Sequence, residues 1–240
     1  MILLSSGCSF SFKETGYTKW PEWTSHALEI QHIDVGMGSQ GNGLIFKKAM
    51  YKLQELLTTH AADDILVGIM WSHPSRGEVY VDNCRKIKTT VPEKTENPRP
   101  LPDNNKAGWA MTNAEWRDPI SWDYYRFNSN SVYFMIRSLE YMLHLQWFLK
   151  CHGIKYFMST YTSRVFEYTD HPSVSYLYNM LDQDYFLPVT GELEWCIDNC
   201  TTPIPDSNHP SNEQHKQFTD QVILPFLKNK YNLSGEHNVN

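Results

Sequence analysis

The chain lacks any run approaching the ~20 apolar residues that a membrane-spanning helix needs. It also lacks the basic start and apolar stretch of about 7–15 residues that mark a signal peptide. Met1-Ile2-Leu3-Leu4 is apolar, but it gives way at once to Ser5-Ser6-Gly7-Cys8. These absences lead us to expect a soluble, cytoplasmic protein with no membrane partner. Positive charge is short too: 21 Lys and Arg against 27 Asp and Glu leave a formal net charge of -6. A chain without a basic footprint is not expected to have nucleic acid as its main partner. Cysteine is sparse and odd in number, five without framework spacing, which argues against a disulfide scaffold. Cys196 and Cys200 sit four apart, yet no second Cys or His pair follows at zinc-site spacing, so no metal is expected. The triplets Asn199-Cys200-Thr201 and Asn232-Leu233-Ser234 are short enough to arise by chance and carry no weight as glycosylation sites. Internal repeats and low-complexity tracts are also missing.

What is present is an ordinary globular composition, 41% hydrophobic and 20% charged, over 240 residues. One domain over 1–233 with a loose polar tail at 234–240 is the expected organisation. Short apolar runs at 1–5, 30–35, 64–70 and 155–158 predict strands. The run at 64–70 is almost wholly apolar after Asp64, as a central parallel strand should be. Between these runs lie helical stretches. One follows Pro21, which suits a first turn. A second carries Leu44, Ile45, Ala49, Met50, Leu53, Leu56 and Leu57 on one face. A third, at 130–151, is closed by Gly153. Strand alternating with helix is the signature of a doubly wound parallel sheet. The stretch 72–129 breaks the alternation. It is Pro-rich, then holds Trp109, Trp116, Trp122, Tyr124 and Tyr125, and a long irregular segment of this kind predicts an ordered cover over a site. Aromatics make up 14% of the chain, with 8 Trp and 14 Tyr, which suits either core packing or a platform for a flat ligand such as a sugar.

In such a sheet, ligands bind at the carboxyl ends of the strands. Ser9 falls just past strand one, Gly36, Gly38 and Gly41 follow strand two, and Ser72 ends strand three. A serine hydroxyl becomes a nucleophile when a nearby base takes its proton and a third group orients that base. Asp206 and His209 lie three apart in a Pro-rich turn, and Ser211 with Gln214 then marks the start of a helix with a capping box. The oxyanion formed on attack needs N–H donors. The Ser9 amide and a glycine after strand two, Gly38 in preference to Gly41, fit that role. Cys8 is the weaker nucleophile candidate, because its side chain should point away from that of Ser9.

At these residues the chain resembles the SGNH hydrolases, the GDSL-like lipases and esterases. Gly7-Cys8-Ser9-Phe10-Ser11 looks like the first family block in its Gly-Cys-Ser-Phe variant. Asp34-Val35-Gly36-Met37-Gly38 is similar to the second, and Asp206-Ser207-Asn208-His209-Pro210 matches the last in spacing and place. The resemblance implies a three-layer α/β/α flavodoxin-like fold with a central parallel sheet and a large insertion after strand three. It also implies a Ser9–His209–Asp206 triad that cleaves an ester through an acyl-enzyme. Two positions depart from the pattern. Cys8 replaces an Asp that is not the triad acid, which leaves the chemistry intact. The third block lacks its Asn oxyanion donor, since the strand ends Met70-Trp71-Ser72-His73; Ser72, or Asn42 from the neighbouring loop, is the substitute to expect. Arg76 resembles an arginine common in the variant and is expected to bind an anionic or sugar group.

The expected activity is therefore hydrolysis of a small-molecule or glycan ester, a short O-acyl group on a carbohydrate being favoured, with no metal or organic cofactor. A second class stays open, a catalytically weak SGNH-like domain that binds a glycan or a protein. The separation of Ser9 and His209 discriminates, since a hydrolase needs them within about 3.5 Å. A flavodoxin-like nucleotide binder is disfavoured because Cys8-Ser9-Phe10-Ser11-Phe12 is too bulky for a phosphate loop.

Overall fold

The computed structural model describes residues 1–81, 108–112, 121, 124–125, 130–205 and 208–234. The main sheet contains β1 (Ile2–Gly7), β2 (Gln31–Asp34), β3 (Ile65–Trp71) and β6 (Lys155–Thr160), all parallel, in the order β2-β1-β3-β6. Every residue of β1 and β3 is buried, which is why both read as nearly continuous apolar runs. Successive residues feed opposite faces of a strand, and the core divides accordingly. Leu3, Leu66 and Phe157 pack on one side with Trp20 of α1 (Trp20–Leu28). Phe218 of α6 (Asn212–Phe218) and Leu227 of α7 (Leu224–Tyr231) complete that side. Ile2, Leu4, Val67, Ile69 and Met158 pack on the other. There they meet Ile45, Ala49 and Leu53 of α2 (Asn42–Leu56), and Met135, Leu139 and Met142 of α3 (Ser131–His152). The protein is thus α/β, a parallel sheet flanked by helices.

Close approach on the first face depends on Gly68. A Cβ there would stand 2.7 Å from the Phe157 ring and 3.0 Å from the Trp20 ring, so only glycine lets these rings meet edge to face across β3. Each fully buried side chain of this size stabilises the fold by roughly 1.5–3 kcal/mol.

Helix ends follow local chemistry. Asn130 Oδ1 accepts from the Val132 and Tyr133 amides at the start of α3, and Gly153 closes it at φ 67°. The capping box at α6 has both of its bonds: Gln214 N–H to Ser211 Oγ at 3.3 Å, and Ser211 N–H to Gln214 Oε1 at 2.8 Å. No helix among the described residues is long and apolar enough to cross a membrane.

Two regions differ from what periodicity predicts. The stretch 72–129 was expected to be irregular, yet β4 (Gly77–Val81) pairs antiparallel with β5 (Gly108–Thr112). That pairing joins segments about thirty residues apart, which no local pattern reveals. The rest of the expected cover, at 82–107, 113–120, 122–123 and 126–129, and so Trp116 and Trp122, lies outside the described residues, as does 235–240 of the expected tail. Between β6 and His209 the chain forms α4 (Pro172–Tyr178) and α5 (Glu192–Asn199). At seven and eight residues, neither shows enough turns to establish a helical period.

Candidate active site

The strand order sets the position of the site. From β1 the chain crosses to β2 on one side, and then to β3 on the other. The carboxyl ends of β1 and β3 therefore flank a topological switch point, where open α/β sheets leave a crevice. Ser9 lies there. The Cys8 carbonyl accepts from both the Ser11 and Phe12 amides at 3.0 Å, closing a tight turn directly after β1. Cys8 and Phe10 are buried, whereas Ser9 at the corner is half-buried. Gly7 makes the turn possible, since a Cβ on it would lie 2.2 Å from Ser11 Oγ and 3.0 Å from the Met70 carbonyl.

His209 arrives from the far end of the chain. The Asn208 N–H donates to the Pro205 carbonyl at 2.8 Å, and Asn208 takes φ 56°, a left-handed conformation that asparagine tolerates. Two residues after His209, the capped start of α6 holds the other side of the loop. The outcome is a hydrogen bond of 2.7 Å between Ser9 Oγ and His209 Nε2, across 200 residues of sequence. The Phe10 ring packs 5.0 Å from the imidazole, centroid to centroid. Asp206 lies outside the described residues.

The loop after β2 is tied to the turn that carries Ser9. Gly7 O accepts from Met37 N–H at 3.2 Å and from the buried Gln40 Nε2 at 2.5 Å. Asp34 holds both loops, accepting from Gly36 N–H at 2.7 Å and Lys13 N–H at 2.8 Å. Gly38 is half-exposed beside open space, whereas a Cβ on Gly41 would strike the Arg76 carbonyl at 2.4 Å. Among the described residues, neither the Ser9 N–H nor the Gly38 N–H donates to another group. Two amides are thus left with donor capacity at the crevice.

The substitutes expected for the missing third donor are engaged elsewhere. Asn42 is buried and spans two elements. Its Nδ2 donates to the Ser72 carbonyl at 2.9 Å and to Ser138 Oγ at 3.0 Å, while its Oδ1 accepts from Ser72 N–H at 2.7 Å. It is a tether between α2, β3 and α3, with both ends of its amide used. Ser72 is fully buried, and its hydroxyl accepts from Arg76 Nη1 at 3.0 Å. Arg76 also lies over the Tyr161 ring at 5.3 Å.

Three further features carried no sequence signal. Lys19 is only 4% exposed, and its ammonium donates to the Ser9 carbonyl at 2.6 Å and to Glu14 at 3.3 Å. A lysine ten residues beyond Ser9 in a polar loop fits no motif. Beneath Phe10, His215 Nδ1 meets Glu192 Oε1 at 2.6 Å, both residues fully buried. Next to the crevice is a cavity of about 360 Å³ whose walls include Arg76, Tyr161 and Arg164.

Burial pushes the Cys196 and Cys200 thiols up, which disfavours the thiolates that metal binding requires. Among the described residues, no cluster of three or more His, Cys, Asp or Glu could hold a metal ion. Comparison of the chain with protein-family models and with curated proteins finds no match to either.

Proposed function

We propose that the protein is a serine ester hydrolase of the SGNH type, a single domain with an insertion after β3, acting on a short O-acyl group such as a carbohydrate acetyl. The observation that carries this is the 2.7 Å hydrogen bond between Ser9 Oγ and His209 Nε2 at the switch point of a parallel sheet. In the first step, Ser9 Oγ attacks the ester carbonyl carbon while His209 Nε2 accepts the hydroxyl proton. The tetrahedral oxyanion is met by the Ser9 and Gly38 amides. Collapse breaks the bond to the alcohol oxygen, which leaves with the proton from His209 and an acyl-Ser9 behind. Water, deprotonated by His209, then attacks the acyl carbon, and Ser9 departs protonated. Asp206, three residues before His209 in the sequence, is the candidate to orient the imidazole.

Asn42 is used as a tether, so the hole rests on two amides. Losing one donor costs on the order of 10²–10³ in rate in other hydrolases, and turnover should be slow or favour activated esters. Hydrolysis of p-nitrophenyl acetate by the wild type and by Ser9→Ala tests the proposal. The expected result is loss of turnover in Ser9→Ala with an unchanged melting temperature. Equal rates would remove Ser9 as the nucleophile and favour the glycan- or protein-binding alternative.

A further inference from the structure

The cavity beside the crevice has an unusual charge. Its walls include His73, Arg76, Phe134, Tyr161, Arg164 and Tyr168. Arg76 extends from a turn closed by its own N–H to the His73 carbonyl at 3.0 Å. Ser75 in that turn is held in turn by the His73 ring, at 2.8 Å from its Oγ, and by the Tyr125 hydroxyl on its carbonyl. The guanidinium is therefore fixed at its root. One end donates to Ser72 Oγ, and its face lies against Tyr161. Among the described residues, Arg76 Nε is buried and has no hydrogen-bond partner. Among the described residues, no carboxylate lies within ion-pair distance of Arg76.

A cation taken partly out of water with no carboxylate beside it is costly unless something anionic completes it. Among the described residues of the wall the one carboxylate is Glu167, which lies 3.8 Å from Arg164 with both side chains exposed, so that pair balances itself. The volume falls within the ~300–1,000 Å³ typical of small-molecule sites, and planar guanidinium matches planar oxyanions bidentately. The cavity is also joined to the dyad: Tyr161 packs 4.9 Å from Phe10, which itself packs against His209.

We propose that this cavity holds an oxyanion, a carboxylate or a phosphate, carried by the substrate, with Arg76 as its principal partner and Arg164 as a second cation of the wall. The natural ester is then an anionic one, such as an acylated acidic or phosphorylated sugar. This rests on the hydrolase proposal for its chemistry, but the binding can be tested without turnover. Calorimetric titration of the Ser9→Ala protein with glucose, glucuronate and glucose 6-phosphate separates the neutral, carboxylate and phosphate cases. We expect at least one anionic sugar to bind about tenfold or more tightly than glucose, the size of a charge-assisted contact. That advantage should vanish in Arg76→Gln, return in part in Arg76→Lys, and fall modestly in Arg164→Gln, with melting curves confirming that each variant is folded. Equal affinity for all three sugars, no binding of either anion, or an advantage that survives Arg76→Gln overturns the proposal. Anion binding without wild-type turnover of p-nitrophenyl acetate would sink the hydrolase and leave the anion site standing. Turnover without anion binding would do the reverse.

Discussion

A hydroxyl at hydrogen-bond distance from an imidazole is useful only if both stay there when a substrate enters. At Ser9 much of that task belongs to Lys19, whose buried ammonium donates to the Ser9 carbonyl itself. Lys19→Met keeps the stem and removes the donor, leaving that carbonyl without its partner. A lost hydrogen bond to a charged group amounts to about 1.5–3 kcal/mol of stability. Urea titration should show a drop of that size, and kcat on p-nitrophenyl acetate should fall more than KM rises. Gly7 acts on the same turn. A methyl group there meets Ser11 Oγ at 2.2 Å and the Met70 carbonyl at 3.0 Å, so Gly7→Ala must displace the turn. Its expected signature is a lower melting temperature together with a severe loss of turnover. Ser9 and His209 were legible because each sits in a local motif. Lys19 was not, because its partner lies ten residues away across a turn that only folding closes.

Among the elements, α6 is the one the proposed chemistry depends on most directly, since its cap begins two residues after His209. Ser211→Ala removes one of the two capping bonds and should cost about 1 kcal/mol, read as a lower denaturant midpoint with unchanged slope. Because the same cap anchors the His209 loop, kcat should fall as well. Capping signals of this kind are local and were readable, as were Gly153 and the amphipathic face of α2. The β4–β5 pair was not. Its strands are defined by each other, and Gly108–Thr112 carries little intrinsic strand preference apart from its partner.

For the whole molecule, buried ionisable groups set how stability changes with pH. His32 on the edge strand bonds to Ser5 Oγ at 2.8 Å, and burial lowers its pKa below 6.5, with Asp34 opposing. The unfolded chain therefore takes up this proton first as pH falls. Stability is lost from about pH 6.5 down to the folded-state value, and the loss is complete below it. Glu78 works in the opposite sense. Burial raises its pKa above 4.5, so between 4.5 and that raised value the folded state binds more protons and gains stability as pH falls. Denaturation at pH 7.5, 6.5 and 5.5 should show a fall that His32→Gln reduces. A profile identical in the variant would remove His32 as its source.

The alternation of apolar runs with amphipathic helices was enough by itself to determine a parallel α/β sheet, because burial on both faces demands continuous apolar strands. The blocks around Ser9 and His209 likewise singled out a candidate nucleophile and its candidate base, since turns and caps depend on neighbouring residues. Only the tertiary structure decided that the two meet at 2.7 Å. It alone turned Asn42 into a tether, left Arg76 lining a cavity with no acidic partner among the described residues, and brought the Lys19 ammonium to the Ser9 carbonyl. Those outcomes depend on which side chains share space and how much water remains between them. Such distances are set by packing between elements far apart in the chain, and no local pattern of residues encodes them.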